Sequence, residues 1–365
     1  MAKKMGVGII GAQPGRSWSA VAHVPALKAL PDYEVVAVST RRRESAEAAA
    51  KALGVPHAFD NAAALINHPD VDLVAVTVKV PEHKALVTAA LDAGKKVFCE
   101  WPLGNGLEEA IQMRDHAKRA GVANVVGMQA RCAPAVAYLR DLIAEGYVGE
   151  VLSTTLIGSG GNWGALMNEA NDYTADKRNG ATVLTIPFGH TIDAVCHVLG
   201  EFTEVSASAT VRRKTAKVIE TGKTIPMTAE DQVMVTGTLK GGAVISAHYR
   251  GGMSRGTNLL WEINGTEGDI VATAPTGHVQ IAGLTLLGGR GDQKTLAPLP
   301  VPDRYQIVPK EVTGPALNVG QLYARFADAL NGKPKNFPDF DDAVQRHKLI
   351  NAIDQSVASG RRVTL

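Results

Sequence analysis

Short apolar runs alternate with Ala-rich, helix-like stretches through the first 125 residues of the chain. Five of the runs have the length and composition of strands, and most of them contain β-branched residues. These runs are residues 7–11, 35–40, 73–78, 96–100 and 124–129. Strands and helices repeated in this order predict a parallel sheet wrapped by helices.

The pattern changes after about residue 150, where four segments alternate or are separated by turn pairs such as Gly241-Gly242. The four are residues 205–211, 233–239, 243–250 and 260–264. They predict an antiparallel sheet. Two helical stretches, 319–330 and 341–358, close the chain, and the Gly- and Pro-rich segment 284–315 is expected to be the least structured region.

A chain of 365 residues suggests two domains, and the change of pattern places them at residues 1–125 and 126–365. An apolar content of 45% and a charged content of 20% are typical of a soluble globular protein. No apolar run approaches the roughly 18 residues of a membrane span. No membrane association is therefore expected.

The net charge and the cysteines limit the partners, the location and the kinds of site that are expected. The net charge is +2 and the basic residues are dispersed, apart from Arg41-Arg42-Arg43, so no nucleic-acid partner is expected. The three cysteines are widely separated and odd in number, which argues against a disulfide framework and a cysteine metal site. A reducing cytoplasm is the expected location, and no metal is expected.

A glycine turn follows the first predicted strand. Gly11 ends that strand, and Gln13, Ser17 and Trp18 lie in the loop before the next helix. Such a turn lets backbone N–H groups approach a pyrophosphate, so these four residues are assigned to a nucleotide. Gln13 stands where G-x-G-x-x-G has its second glycine, and a helix-capping loop without a ligand is the alternative.

The second strand runs into Thr40, Arg41 and Arg42, where a site preferring NAD would place an acidic residue. Hydroxyl and guanidinium groups suit a 2′-phosphate, because arginine offers planar paired donors to phosphate oxygens. NADP is therefore the preferred cofactor, with NAD possible. The alternative is that these arginines start a solvated helix.

The glycine turn, the Glu100-Trp101-Pro102 run and the segment 180–193 together make the chain resemble the Gfo/Idh/MocA family of oxidoreductases along nearly its whole length. The resemblance implies an α/β protein. Its N-terminal domain would be a Rossmann fold, a doubly wound parallel sheet, and its C-terminal α/β domain would carry a large, mainly antiparallel open sheet. That sheet often mediates oligomerisation in the family, which implies a homodimer or homotetramer.

Within the family, one branch is more similar. Residues 159–163, 179–180 and 188–193, together with Glu100-Trp101, look like the branch that contains the fungal galactose-regulon repressor. That repressor is a non-catalytic relative that binds a dinucleotide and a transcription activator. The similarity to this branch does not decide whether the present chain is catalytic.

The family's catalytic pattern is incomplete here. A lysine belongs between the glutamate and the proline, but Trp101 occupies that position, and Ile186 replaces an aspartate four residues before His190. An indole has one N–H donor and no titratable proton, so Trp101 cannot act as a general acid or base. Only His190 remains of the three proton-handling groups.

His190 is the main catalytic and substrate-binding candidate, since an imidazole can act as acid or base at neutral pH. A structural hydrogen-bonding role is the alternative. Asp193, one turn later, is also assigned to the substrate, and His197 lies too far along the helix to complete a metal site.

The remaining assignments follow the resemblance. Lys79 and His83 flank the turn after the third strand, and His83 is assigned to the cofactor. Lys79 would contact the cofactor, replace the missing lysine, or lie solvated at the surface. Trp101 and Trp163 would stack on the nicotinamide or a sugar ring, unless they pack in the core. Glu100 and Gln129 are assigned to the cofactor, Arg131 and Trp163 to the substrate, and Tyr173 is a replacement acid.

Two functions compete. One is an oxidoreductase that transfers hydride between nicotinamide and a sugar, polyol or other polar carbonyl compound. The other is a catalytically silent dinucleotide or sugar sensor that controls a protein partner. The enzyme is favoured, because the chain is compact and has no obvious long insertion of the kind a regulator would use.

Overall fold

The computed structural model describes residues 3–15 and 17–365. The chain forms two compact units. The first comprises the chain up to Cys132 and Gln306–Gln345, and the second comprises Ala133–Tyr305 and Arg346–Leu365. The domain boundary expected at residue 125 stays a prediction about functional domains; in terms of packing, the segment Gln306–Gln345 belongs with the first unit.

The first unit contains a six-stranded sheet in which every neighbouring pair is parallel. Its strands are β1 (Met5–Ile10), β2 (Tyr33–Ser39), β3 (His57–Phe59), β4 (Leu73–Val76), β5 (Lys96–Glu100) and β6 (Asn124–Gly127). They lie in the order β3-β2-β1-β4-β5-β6. The order reverses direction between β1 and β4, and this reversal is the switch point at which doubly wound sheets bind ligands.

Five helices connect these strands. They are α1 (Val24–Ala29), α2 (Arg43–Leu53), α3 (Ala62–Ile66), α4 (His83–Asp92) and α5 (Leu107–Ala120). A π-helical turn, Ser19–His23, precedes α1. Such turns are rare and frequently occur at functional sites.

The second unit begins with α6 (Pro134–Ala144) and also contains α7 (Gly189–Leu199). Its main sheet has nine strands in the order β17-β16-β15-β14-β7-β13-β12-β9-β18. The long strands are β7 (Val151–Gly160), β9 (Phe202–Thr210), β12 (Gln232–Leu239), β13 (Val244–Gly251), β14 (Leu259–Gly265), β15 (Gly268–Ala274) and β16 (Thr285–Arg290). The short edge strands are β17 (Ala297–Pro298) and β18 (Val363–Thr364). Only the β13 and β7 pair is parallel, so the predicted mainly antiparallel sheet is confirmed.

A second, three-stranded sheet in this unit combines β8 (Leu166–Met167), β10 (Thr215–Val218) and β11 (Thr224–Pro226). The chain ends with α8 (Pro315–Leu330), which packs in the first unit, and α9 (Phe340–Ser359). In the first unit, α8 contributes Tyr323 and Phe326 to a core that also contains Ile9, Leu27 and Phe98.

Three details correct the sequence-based expectations. Strand β3 was missed, because three half-buried residues give no clear periodicity. Segment 284–315 is more ordered than expected, since its Gly-containing strand β16 pairs with β15 along six residues. Helix α8 begins at Pro315, where proline fits the first turn, rather than at Val319.

One stretch of the described chain, Lys177–Leu199, is long and apolar enough to cross a membrane by length and composition. The expectation that no run approaches this limit therefore needs correction. Because 78% of its apolar window is buried inside the protein, the stretch is a core element. Its α-helical part, α7, carries the candidate residue His190.

Candidate functional site

The switch point of the parallel sheet contains Gly11, which follows β1 with a φ of 97°. Its N–H donates to the carbonyl of Ser39 at 3.0 Å. A Cβ at this position would lie 2.7 Å from a methyl of Val78 and 2.9 Å from the carbonyl oxygen of Thr77. Both the backbone conformation and the close approach therefore require glycine here.

The loop after Gly11 is closed by its own side chains. The Ser17 hydroxyl donates to the Gln13 carbonyl at 2.6 Å and accepts from the Gln13 N–H at 3.0 Å. The same hydroxyl lies 2.8 Å from that of Ser19. These contacts of the Ser17 hydroxyl hold the loop locally. The indole N–H of Trp18 is buried and has no hydrogen-bond partner among the described residues.

The residues after β2 include hydroxyl and guanidinium groups at the surface. Thr40 donates to the Arg42 carbonyl at 2.9 Å, and its hydroxyl lies 2.6 Å from that of Ser45. Arg41 forms an ion pair with Glu82. Arg42 is exposed and makes no side-chain hydrogen bond to any described residue. Of these two guanidinium groups, that of Arg41 is therefore already paired, whereas that of Arg42 is exposed.

Glu100, at the end of β5, is held by a buried hydrogen-bond chain. Its Oε1 lies 2.9 Å from Nε2 of His23, and Nδ1 of His23 lies 2.8 Å from the hydroxyl of Tyr323. Tyr33 in turn donates to the Tyr323 carbonyl at 2.8 Å. Sequence reasoning did not assign a role to His23 or Tyr323, because 77 and 300 residues separate the bonded pairs.

The turn after Glu100 is anchored by His83. Its Nδ1 lies 2.9 Å from the Pro102 carbonyl and 3.3 Å from that of Leu103, and its Nε2 lies 3.0 Å from the Val78 carbonyl. Burial lowers the pKa of His83, and the three carbonyls oppose that shift. His83 therefore joins the turns after β4 and β5, and its assignment to the cofactor stays a prediction.

Trp101 itself is buried, with 4% of its surface exposed. Lys79, which precedes the short 3₁₀ turn Val80–Glu82, is exposed after β4. The Trp101 indole thus occupies the position at which the family has its lysine. Lys79, which follows the third predicted strand, lies at the surface. The stacking role of Trp101 and the cofactor contact of Lys79 stay predictions.

Gln129 and Arg131 lie in the 3₁₀ turn after β6 and differ in their availability. Gln129 is 1% exposed, and its amide oxygen has no hydrogen-bond partner among the described residues. Arg131 donates to Asp342 at 2.9 Å. Burial raises the pKa of Asp342, but the Arg131 guanidinium lowers it, and the net shift of the pKa is downward. Gln129 thus offers an acceptor to a ligand, while the charge of Arg131 is already matched.

In the second unit, His190 is the second residue of α7 and is 3% exposed. Its Nδ1 is buried with no hydrogen-bond partner among the described residues. Burial, opposed by Asp193 and assisted by His278, lowers the pKa of His190 to about 3. The imidazole is consequently neutral at physiological pH. The sequence-based expectation, an imidazole that both gains and loses a proton near neutral pH, rested on the ordinary pKa of histidine.

Asp193 belongs to a buried ion cluster. Nε of Arg346 lies 3.3 Å from its carboxylate, while other guanidinium nitrogens contact Cys196 at 3.0 Å and Glu201 at 2.8 Å. Both Asp193 and Arg346 are fully buried. A buried carboxylate with such a partner is part of the scaffold below His190. Its assignment to the substrate stays a prediction.

A second imidazole that sequence reasoning missed, His278, acts electrostatically on His190 and helps to lower its pKa. His278 accepts a hydrogen bond from the Gly161 N–H at 2.9 Å, and its ring stacks on Trp163 at 6.3 Å. Trp163 is buried, has a φ of 60° and donates its indole N–H to the Ala181 carbonyl at 3.0 Å. A non-glycine residue in this conformation is strained and is often found at a functional site.

Tyr173 lies in the 3₁₀ segment Glu169–Ala175 of the same unit and is half-buried. Burial raises the pKa of its hydroxyl. The group therefore stays protonated at neutral pH, and its role as an acid stays a prediction.

Comparisons with known proteins agree with this architecture. Residues 5–128 match the family model described as "Oxidoreductase family, NAD-binding Rossmann fold", and residues 134–274 match the model described as "Gal80p, C-terminal domain". Residues 5–128 are therefore similar to the nucleotide-binding domain of the Gfo/Idh/MocA oxidoreductases. More particularly, residues 134–274 are similar to the C-terminal domain of Gal80p, so the chain combines matches to both models.

Three relatives illustrate the range of functions. Dehydrogenase aclE of Aspergillus oryzae is 28% identical over 374 residues, covering 99% of this chain and 98% of the relative. Levoglucosan dehydrogenase of Pseudarthrobacter phenanthrenivorans is 30% identical over 260 residues, covering 67% and 65%. The crystal structure of the transcriptional regulator Gal80p from Kluyveromyces lactis is 25% identical, with a TM-score of 0.87 and coverage of 100% and 92%.

These findings confirm the resemblance and the fold class expected from the motifs. A nicotinamide cofactor also fits the residues present, because the model matched by residues 5–128 is described as NAD-binding and the buried Gln129 amide oxygen has no hydrogen-bond partner among the described residues. Enzymes and a regulator both occur among the relatives.

Proposed function

We propose that the protein is an NADP(H)-dependent oxidoreductase that transfers hydride between nicotinamide and a sugar, polyol or other polar carbonyl compound. The observation that carries the proposal is the buried, unpartnered Nδ1 of His190. A buried polar atom without a partner costs about 1–3 kcal/mol. A substrate hydroxyl or carbonyl bound at this nitrogen would remove the cost. The dehydrogenase relatives support the reaction class.

The neutral imidazole determines what His190 does. A neutral ring donates one hydrogen bond and accepts one, so it can orient a substrate hydroxyl or carbonyl by hydrogen bonding. Because burial lowers the pKa to about 3, the ring is not a reservoir of acidic protons at neutral pH. When bound, the nicotinamide supplies or accepts the hydride. His190 positions and polarises the reacting oxygen.

NADP rather than NAD is proposed as the cofactor because of the residues after β2. Arg42 is exposed without a side-chain partner among the described residues, and Thr40 adds a hydroxyl. Arg41 would exchange Glu82 for the 2′-phosphate. Arg43 differs, because Glu47 and the Ala58 carbonyl already bind it.

The remaining assignments complete the proposal. Gln129 and Glu100 would contact the cofactor, Lys79 would contact its phosphate or ribose, and Trp163 would support the substrate ring. These roles rest on position in the fold and on the family resemblance.

Titration of the purified chain with NADPH and NADH, followed by a panel of sugars, polyols and aldehydes, tests the proposal. Arg42→Ala should weaken NADPH binding about tenfold or more, since a charge-assisted hydrogen bond is lost, and leave NADH nearly unchanged. Arg43→Ala is the matched control and should change neither affinity. Equal loss of both dinucleotides in Arg42→Ala would contradict the preference.

Turnover is measured on the same panel by the absorbance of the reduced nicotinamide. Oxidation or reduction of a member, strongly reduced in His190→Ala with nucleotide binding intact, is the expected result. Nucleotide binding without turnover on the whole panel would contradict the enzyme.

A catalytically silent sensor is the second candidate, and Trp101 favours it. The indole is buried where the family carries a lysine, and residues 134–274 match the Gal80p C-terminal domain. Calorimetric binding of a sugar to the NADPH-loaded protein, without consumption of NADPH, would favour this function over the enzyme.

Self-association through the second unit is part of the proposal. The strand register places four side chains in one row across one face of the nine-stranded sheet: Met234, His248, Ile157 and Leu260. Their neighbours in sequence on the opposite face are buried: Val235, Ala247, Leu156 and Trp261. Met234 is 55% exposed. An uncovered apolar row of this kind favours a homodimer or homotetramer, which light scattering of the purified protein would detect. A monomer at all concentrations would contradict it.

A further inference from the structure

We propose that His57, His68 and Asp70 bind a divalent transition-metal ion, such as Zn²⁺, at the end of the parallel sheet where its strands begin. Nε2 of His57 lies 3.6 Å and Nδ1 of His68 lies 3.9 Å from the same Asp70 oxygen. One ligand atom from each residue lies within 4.8 Å of the other two. The site is independent of the proposed redox function.

These distances are close to those of a metal site. Zinc bonds of about 2.0–2.2 Å in tetrahedral geometry place neighbouring ligand atoms roughly 3.3–3.5 Å apart. The His57–Asp70 and His68–Asp70 distances would each have to shorten by a few tenths of an ångström for an ion to be bound. The side chains are 39%, 20% and 61% exposed, so they have room to rotate. Solvent would supply the remaining ligands.

The ligand set is appropriate to such ions. Two imidazoles and a carboxylate suit Zn²⁺, Co²⁺ or Ni²⁺, whereas Ca²⁺ and Mg²⁺ prefer sites made entirely of oxygen ligands. The three cysteines, Cys99, Cys132 and Cys196, are buried, so they do not compete for an ion arriving from solvent.

The backbone that carries two of the ligands is fixed. Lys95 donates to the carbonyls of His68 at 3.2 Å and Val71 at 2.7 Å. The Asp70 carbonyl lies 1.9 Å from the position of a Cβ at Gly6, so this strand residue must be glycine for the turn to pack. A turn held in this way orders His68 and Asp70 before an ion binds.

One interaction opposes binding. The Asp70 N–H donates to Nδ1 of His68 at 3.3 Å, and this bond must open if the nitrogen is to become a ligand. The bond is long for N–H···N geometry, and replacing it with a metal bond is favourable. The charge of Lys95 also faces the turn, but carbonyl oxygens bind its ammonium group.

The position of the cluster determines what the ion would do. His57 begins the edge strand β3, and Asp70 precedes β4, so the site lies at the end of the sheet opposite Gly11. Strand β3 has only three residues and pairs only with β2. A bound ion would tie this edge strand to the turn between α3 and β4 and stabilise the first unit.

Calorimetric titration of the tag-free full chain with Zn²⁺ tests the site, with thermal unfolding in the presence and absence of Zn²⁺ as a second measurement. One ion per chain and a higher melting temperature are expected. His57→Gln and Asp70→Asn should each weaken Zn²⁺ binding about tenfold or more and abolish the thermal shift. Both positions are exposed enough that either variant should fold.

His116→Gln is the matched control. His116 lies 2.8 Å from Asp92 at the surface but has no second imidazole in the pair. Its replacement should leave zinc binding unchanged. The absence of saturable binding, or equal weakening by His116→Gln, would overturn the proposal and reduce the cluster to an ordinary histidine–aspartate contact.

Discussion

At the residue scale, the position of the Glu100 carboxylate depends on what residue 127 lacks. A Cβ at Gly127 would lie 2.7 to 2.9 Å from the three atoms of that carboxyl group. The carboxylate occupies the space of the missing side chain and meets His23 there at 2.9 Å. A glycine that looks like an ordinary strand end in the sequence thus decides where an acidic group lies.

Gly127→Ala should therefore displace Glu100 from His23 and lower the free energy of unfolding by about 1–3 kcal/mol, the usual cost of an overfilled site. Denaturant unfolding monitored by circular dichroism measures this. NADPH binding should weaken in parallel if Glu100 contacts the cofactor. Gly241→Ala, where an added Cβ meets no atom within 4 Å, should remain within about 0.5 kcal/mol of the wild type. Similar losses in both variants would contradict the proposed displacement.

At the element scale, two loops on neighbouring strands are held together by one histidine. His83 contacts the carbonyls of Val78, Pro102 and Leu103 with its two ring nitrogens. Those carbonyls belong to the turns that follow β4 and β5, which flank the switch point of the sheet. The shape of the nucleotide side of this unit therefore depends on a side chain at the start of α4.

His83→Leu should lower the free energy of unfolding by about 1–3 kcal/mol, because leucine leaves a buried carbonyl without the N–H donor of the neutral imidazole. Chemical denaturation with a probe in the first unit provides the measurement. His116→Leu removes a surface histidine of the same type, and the loss of its exposed pair should cost less than about 1 kcal/mol. If both variants lost the same stability, the contacts of His83 would not anchor the turns.

At the scale of the whole molecule, buried histidines make stability depend on pH. His190 and His347 are 3% and 2% exposed in the second unit, and burial lowers the pKa of each to about 3. In the unfolded chain, histidine titrates near 6.5. Between these values the unfolded chain binds protons that the folded protein does not, so stability decreases as the pH falls below about 6.5.

Lowering the pH from about 7 to 5 should consequently destabilise the protein by up to about 2 kcal/mol for each of these histidines. His190→Phe cannot take up that proton, so its loss of stability over the same range should be smaller by up to this amount. Unfolding in guanidinium at several pH values measures the difference. An unchanged pH dependence in His190→Phe would contradict the prediction.

Local sequence patterns predicted much of the fold. The alternation of apolar runs and helices predicted five of the six parallel strands, and the long antiparallel strands followed from alternation and glycine turns. Strand β3 was missed because it is only three residues long, and β16 was missed because glycines obscured its pattern. The motifs around Glu100 and His190 were sufficient to recognise the resemblance that the two family models support.

The sequence by itself determined the periodicities, the glycine turn at Gly11 and the loss of the family lysine at Trp101, because each of these is local. Only the tertiary structure decided that Glu100 meets His23 and Tyr323, that His278 acts electrostatically on His190, and that Gln306–Gln345 packs with the first unit. The physical reason is that side-chain periodicity encodes which face is buried, whereas contacts across hundreds of residues depend on the topology that brings those faces together. Burial in turn sets the charge of His190, and no composition of neighbouring residues reveals it.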